Sequence, residues 1–391
     1  MNILYVTNKP IYPIVDGGCF AMDSFLRSLI TCSEVKTISL STYKHPFEKS
    51  NYPPQIVQLT DPSGHFIDTK PTVFSFLKSF FKNESYNVSR FYSESFLNLL
   101  INEIKTTSFD FVIFESAFLL VYTEKIRAVF KGKVVLRAPN VEYKIWEDYS
   151  HFSTSYFKKK LYKYLAKQLK KFEIEYVSKV DVLCVITEND KLHFSENGIK
   201  CPISVIPFGI EQKTHKLPSV PKQTLFFLGA YNWKPNYDAA LFLVNQVLPE
   251  LTKIYPDIEL HLAGSFMPLE FNSFTSKNIK IHGKVDSSAD FMEKHGVLVA
   301  PIFSGSGVRI KIIEALSIGV PVVASTIAMQ GIPSNSVLLA DTKQEFIDQI
   351  CHLFNHPNSI EQYQKNAMQT IQNEFSFDHI STKLKALLDG I

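Results

Sequence analysis

The stretch Leu298–Gly331, LVAPIFSGSGVRIKIIEALSIGVPVVASTIAMQG, reads as strand, glycine-rich loop, helix, turn and strand. The apolar run Val297–Ile302 is the first strand, and Ser304-Gly305-Ser306-Gly307 follows it. Residues this small let backbone N–H groups come close to an anion. Arg309 and Lys311 then open a helix whose apolar positions are Ile310, Ile312, Ile313, Leu316 and Ile318. Cations in a first helical turn oppose the helix dipole. An anion bound at the unpaired N–H groups of that terminus is a reason for them. Glu314 lies five residues after Arg309, placed to accept from sugar hydroxyls. Gly319 ends the helix, Pro321 blocks its continuation, and Val320–Ser325 is the next buried strand. The unit reads as a βαβ fragment for a phosphorylated, hydroxyl-rich ligand. The plainer reading of the same residues is a glycine-rich turn with a solvated Arg and Lys.

This stretch resembles the nucleotide-sugar site of family-4 retaining glycosyltransferases of the GT-B fold, the glycosyl transferases group 1. Their usual pattern is E-x7-E, whose second Glu binds the nucleotide ribose. Glu314 matches that Glu, while Ser306 stands where the first would be. Gly307-Val308-Arg309-Ile310-Lys311-Ile312-Ile313-Glu314 fits the G-x-R-x-K-x-x-E version of one branch. The resemblance implies catalytic roles for Arg309, Lys311 and Glu314, and donor contacts at Gly305, Ser306, Gly307 and Val308.

At 391 residues the chain is long enough for two domains. Its 45% hydrophobic and 20% charged content is that of an ordinary globular protein, and a net charge of +3 gives no argument for nucleic acid. The five cysteines are scattered, without CxxC pairs or metal-ligand spacing, and read as thiols in a reducing compartment. Met1-Asn2-Ile3-Leu4-Tyr5-Val6 reads as a strand and not as a signal peptide. A cytoplasmic protein, or one peripheral at the inner membrane face, is expected.

Ile3–Val6 begins a first sheet, and a loop with Gly17-Gly18 leads into a helix from about Cys19 to Cys32. The Gly pair permits close backbone approach to a ligand, or serves a plain turn. Residues 44–92 show no clear period. Phe109–Glu115 is an apolar strand ending in Glu115, at the carboxyl edge where α/β folds bind ligands. The segment Arg137-Ala138-Pro139-Asn140-Val141-Glu142-Tyr143 resembles R-A-H-N-V-E-Y of the same branch, with Pro139 replacing the His of the acceptor side. Polar acceptor-side roles then fall to Glu115, Asn140 and Glu142. Residues 156–177 form a strongly basic helix with Leu161, Tyr164, Leu165, Leu169, Phe172 and Tyr176 at helical spacing. Such a helix sits on anionic lipid, or packs with a solvated basic face.

In the second half, Thr224–Leu228 is followed by Gly229-Ala230-Tyr231-Asn232-Trp233-Lys234, which resembles the family's donor-phosphate loop. Lys234 is the expected phosphate contact there, with Asn232 second. Gly264-Ser265 and Gly283-Lys284-Val285 correspond to loops that border the base, so Val285 joins Gly17, Gly18 and Lys234 among the donor-binding residues. The alternation of strand and helix predicts an α/β chain of GT-B architecture, two Rossmann-like parallel-sheet domains facing each other across a cleft. Its expected parts are an acceptor-side domain 1–210, a linker 211–223, a nucleotide-sugar domain 224–375 and a terminal helix 376–391 crossing back to the first domain.

The resemblance implies a retaining glycosyltransferase moving a sugar from a nucleotide-diphosphate donor to a glycan or lipid-linked acceptor, in bacterial cell-surface polysaccharide synthesis. The alternatives are an epimerase of the same fold, which would share the phosphate and ribose contacts, and a catalytically impaired subunit, which Pro139 and Ser306 keep open. No cofactor and no metal are expected, because no Asp-x-Asp lies near the phosphate loops. The missing G-x-G-x-x-G after the first strand disfavours a dinucleotide oxidoreductase.

Overall fold

The structure is a computed structural model, and it describes residues 1–153, 155–211, 223–305 and 307–391. The expected linker 211–223 therefore lies almost wholly outside the described residues, as does Ser306. The chain divides into two compact units, Met1–Gly209 with Phe377–Ile391, and Ile210–Ser376.

The first unit is built on strands β1 (Asn2–Thr7), β2 (Glu34–Ser41), β3 (Ser63–Phe66), β4 (Phe111–Glu115), β5 (Lys133–Ala138), β6 (Val182–Val185) and β7 (Ile203–Val205). They form one parallel sheet in the order β3-β2-β1-β4-β5-β6-β7. Because side chains alternate across a strand, β1 feeds two cores. Ile3 and Tyr5 join Met22, Phe25 and Leu29 of the helix Gly17–Ile30 and Ile380, Leu384 and Leu388 of the helix Phe377–Asp389. Leu4 and Val6 join Phe96, Leu100, Leu169 and Val177 on the opposite face. Both faces of a parallel sheet are thus covered, as its apolar strands require.

The second unit holds β8 (Thr224–Leu228), β9 (Glu259–Ala263), β10 (Ile279–Gly283), β11 (Val297–Ala300), β12 (Val322–Ala324) and β13 (Leu338–Leu339). Its order is β10-β9-β8-β11-β12-β13, again parallel. In each sheet the winding reverses once, between β1 and β4 and between β8 and β11. A crevice opens outside the strand ends at such a reversal, and ligands of open α/β sheets bind there.

The first helix starts at Gly17, two residues before its expected start, because the Asp16 side chain caps it by accepting from the Cys19 N–H at 2.8 Å. The stretch 44–92, without a period in sequence, contains β3 and the short helices Pro54–Thr60, Val73–Phe81 and Tyr86–Ser89. In the Val73–Phe81 helix only Ser79 is buried, so its apolar residues mark no core-facing stripe.

Candidate functional site

In the second unit the reversal point brings together the loops after β8 and β11. Gly305 and Gly307 both adopt left-handed φ, +91° and +88°, a region that costs any other L-residue steric strain. A Cβ on Gly305 would also lie 2.5 Å from Trp233 Cζ2, so the loop after β11 is pressed against the loop after β8. Arg309 is the N-cap of the helix Ile310–Ser317 and is 95% buried, at 5% exposure. Its Nη1 donates to the Gly307 carbonyl at 2.6 Å and its Nη2 to the Gly305 carbonyl at 2.8 Å. The guanidinium therefore ties the glycine loop from inside, with the Trp233 ring 4.9 Å away.

Lys311 follows in the first turn of that helix. Its Nζ donates to the Asn236 side-chain oxygen at 2.7 Å and stands 4.2 Å from the Phe227 ring centre. Asn236 in turn donates to the Ala230 carbonyl at 2.9 Å, which fixes which end of the amide faces Lys311. Burial, and then the neighbouring charge of Arg309, push the Lys311 ammonium well below the ordinary lysine range. Two cations side by side at a helix N-terminus are an electrostatic cost that a bound polyanion offsets.

Glu314 lies on the same helix, half-buried, and accepts from the Ser288 hydroxyl at 3.0 Å. Val308 and Val285 are half-buried beside these loops in sequence, Val285 between β10 and the helix Ser288–Lys294. Lys234 points elsewhere. It is exposed, at the first position of the helix Lys234–Phe242, and pairs with Asp238 one turn on. Asn236, two residues later, is the residue that reaches Lys311. A helical asparagine two positions from a lysine carries no sequence mark of that role.

In the first unit the residues expected on the acceptor side separate into two environments. Glu115 and Arg137 are opposite one another in the β4–β5 register and form an ion pair with each side chain 1% exposed. Tyr5 donates to the second Glu115 oxygen at 2.6 Å. Burial raises the Glu115 carboxyl against the pull of Arg137. The strand-end carboxylate is thus consumed by a buried triad and presents no free oxygen to a ligand, which corrects its reading as an acceptor contact. Arg137 keeps Nε and Nη2 without a protein acceptor, with Phe25 4.7 Å from its guanidinium.

Asn140 is half-buried in the turn after β5, and Pro139 precedes it. Glu142 opens the helix Glu142–Phe152 and is buried; burial raises its carboxyl to about 7. Glu173, from the basic helix Tyr156–Val177, caps this helix by accepting from the Glu142 and Tyr143 N–H groups at 3.1 and 3.2 Å. Burial and the Glu142 charge raise Glu173 to about 8. A carboxylate set among seven lysines reads in sequence as one member of a solvated face, so its inward position went unseen. Gly17 and Gly18 are exposed at the start of their helix, and Lys9 pairs with the capping Asp16 at 2.7 Å.

Comparison with known proteins agrees with this layout. Residues 222–356 match the family model described as Glycosyl transferases group 1. That match covers most of the second unit, about a third of the chain. The Anabaena protein Alr3699/HepE in complex with UDP superposes with a TM-score of 0.69 at 12% identity, over 100% of both chains. Sucrose-phosphate synthase from Thermosynechococcus elongatus gives 0.68 at 13%, over 100% of this chain and 99% of that one. The chain has the GT-B fold. In sequence, the GT-B chain is 24% identical over 289 residues to an uncharacterized 44.6 kDa protein in the cps region of Klebsiella pneumoniae, covering 70% of this chain and 73% of that protein.

Proposed function

We propose that this GT-B protein is a retaining glycosyltransferase that takes a sugar from a nucleotide-diphosphate donor. The observation that carries the reading is the pairing of Arg309 and Lys311 at a helix N-terminus behind two left-handed glycines. When the glycosidic bond to the diphosphate breaks, negative charge grows on the leaving oxygens. Preorganised cations and backbone N–H groups stabilise that charge most where water is excluded. Lys311 supplies charge that a phosphate pulls back toward full protonation, and Arg309 holds the loop in the shape that exposes its N–H groups. Glu314 then accepts from the ribose hydroxyls. No protein nucleophile is assigned.

Alr3699/HepE has been solved with UDP and with UDP-glucose, which makes uridine-diphosphate sugars the first donors to test. The relative in a cps region supports an acceptor in cell-surface polysaccharide synthesis, a growing glycan or a lipid-linked one.

We further propose peripheral contact with an anionic membrane. Among the described residues no helix is long and apolar enough to cross one. The helix Val73–Phe81 instead exposes Phe74 and Phe81, at 79% and 81%, and packs on the basic helix through Phe80 and Tyr164, 5.7 Å between ring centres. Phe157, at the start of the basic helix, is 83% exposed beside Lys158, Lys159 and Lys160. Exposed aromatics flanked by lysines are the composition of an interfacial helix pair. Only the later turns of the basic helix, with Leu165, Leu169 and Val177, are buried.

The test is a screen of the purified chain against nucleotide-sugar donors, reading nucleoside diphosphate released and sugar transferred. Release and transfer with one donor support the reading. Donor binding without release, or epimerised donor as product, overturns it.

A further inference from the structure

Three imidazoles meet in the second unit, on the flank of the sheet under the helix Ser288–Lys294. His261 lies in β9, opposite Phe226 of β8. His282 lies where the β9–β10 register slips between Ile281 and Gly283, and such a bulge turns a side chain out of its regular direction. His295 caps the end of the helix, and Phe291 of that helix stacks on it with ring centres 4.1 Å apart. One ring nitrogen from each of the three histidines lies within 4.8 Å of the others. We propose that His261, His282 and His295 form a binding site for a borderline divalent transition-metal ion of the Zn²⁺ type, which clamps this helix onto the sheet.

The second nitrogens decide the chemistry. His295 Nδ1 is 2.6 Å from the Phe291 carbonyl, so its N–H is used there and Nε2 keeps its lone pair. His261 Nε2 is 3.3 Å from a Glu259 carboxylate oxygen, which leaves Nδ1 as the lone-pair atom. That Nδ1 is 2.8 Å from His282 Nε2. A carboxylate or carbonyl holding the far N–H of an imidazole is the arrangement that orients histidine ligands around zinc. Ligand atoms about 2.0–2.1 Å from a tetrahedral ion stand roughly 3.4 Å apart, between the 2.8 Å of the His261–His282 pair and the 4.8 Å within which all three lie. Imidazole binds a metal ion in its neutral form. Nitrogen ligands select Zn²⁺, Co²⁺, Ni²⁺ or Cu²⁺ over Mg²⁺ and Ca²⁺. His282 is exposed, which opens the site to an ion and leaves the fourth position to water.

The experiment titrates the full chain, stripped with a chelator, with Zn²⁺ by calorimetry and with Co²⁺ by visible absorption. One ion per chain and the intense absorption of tetrahedral Co²⁺ are expected. His282→Ala, at an exposed position that leaves the core intact, should weaken Zn²⁺ at least 100-fold, and Glu259→Gln about tenfold or more. Zn²⁺ should raise the Tm of the native chain and not that of His282→Ala. Equal Zn²⁺ affinity in the native chain and in His282→Ala overturns the site, as does the absence of stoichiometric binding in the native chain.

Discussion

Lys311 Nζ donates to the side-chain oxygen of Asn236 at 2.7 Å, and that bond joins the helix after β11 to the helix after β8 across the reversal point of the sheet. Its consequence is thermodynamic. A lysine held low by burial gains a proton when an anion arrives, so nucleotide-diphosphate binding should take up protons between the free and the bound pKa of Lys311. Calorimetry in buffers of different ionisation enthalpy measures this uptake, and Lys311→Met should abolish it. Binding enthalpies independent of buffer at every pH would remove Lys311 from the phosphate site.

Charge-assisted hydrogen bonds contribute roughly 1.5–3 kcal/mol each. Arg309→Ala and Lys311→Ala should therefore each weaken nucleotide-diphosphate binding by about tenfold to a hundredfold. Asn236→Ala removes no charge and should cost less, while letting the Lys311 pKa rise or fall with its new surroundings. Unchanged affinity in both cation variants rejects the assignment.

Glu314→Gln keeps the side-chain shape and removes its charge. Since Glu314 is half-buried with a neutral partner in Ser288, turnover should fall about tenfold or more while Tm stays within about 2 °C, the span of a surface substitution. A stable variant turning over at the native rate would show that this carboxylate does not touch the donor.

How far these residues were readable from sequence varies with what holds them. The proposed phosphate loop is local: Gly305, Gly307, Arg309 and Lys311 lie within seven residues, so the expectation of an anion there needs no distant contact. Strand and helix alternation likewise foretold both sheets. Glu115 misled because its partner is set by cross-strand register, with Arg137 22 residues away. Glu173 and Asn236 act through contacts 30 and 75 residues distant. The three histidines sit at 261, 282 and 295, at no ligand spacing, and only the bulge in β10 and the end of a helix bring their rings together.

Glu142 and Glu173 predict a pH dependence of stability. Both carboxyls sit above their ordinary value of 4.5, at about 7 and about 8. The folded chain thus keeps protons that the unfolded chain releases above about pH 4.5. Stability is largest at the acidic end of that interval and falls as pH rises toward about 8. Glu142→Gln removes one charge of the pair, and at 1.36 kcal/mol per pKa unit it should return up to about 3 kcal/mol at pH 8.5 and almost nothing at pH 5. Thermal melts at the two pH values check it; a variant as pH-sensitive as the native chain would locate the effect elsewhere.

Membrane docking has its own signature. Binding to anionic vesicles should weaken steeply with salt, because exposed charges are screened within about 10 Å at 0.1 M. Reversing Lys159, Lys163 and Lys170 to Glu tests the charge, and Phe74→Ser with Phe157→Ser tests the apolar insertion. Equal partitioning to neutral and anionic vesicles would leave the basic face simply solvated.

The last prediction is that sugar transfer needs no Mg²⁺ or Mn²⁺. Such ions are held against a diphosphate by carboxylates, and the carboxylates named here are otherwise engaged. Both Glu115 oxygens are taken, by Arg137 and Tyr5. Glu142 is buried at a helix N-terminus. Glu314 accepts from Ser288 and is the proposed ribose ligand. In the proposed site Arg309 and Lys311 supply the charge that an ion would bring. Initial rates with donor and acceptor in excess EDTA should therefore stay within about twofold of the untreated enzyme, measured well below Tm. EDTA should act instead on stability, lowering the Tm of a Zn²⁺-loaded chain to that of His282→Ala. A rate that vanishes in EDTA and returns with Mg²⁺ or Mn²⁺ overturns the metal-free assignment, and a rate that returns with Zn²⁺ alone in the native chain but not in His282→Ala would move the histidine site from the scaffold into the reaction.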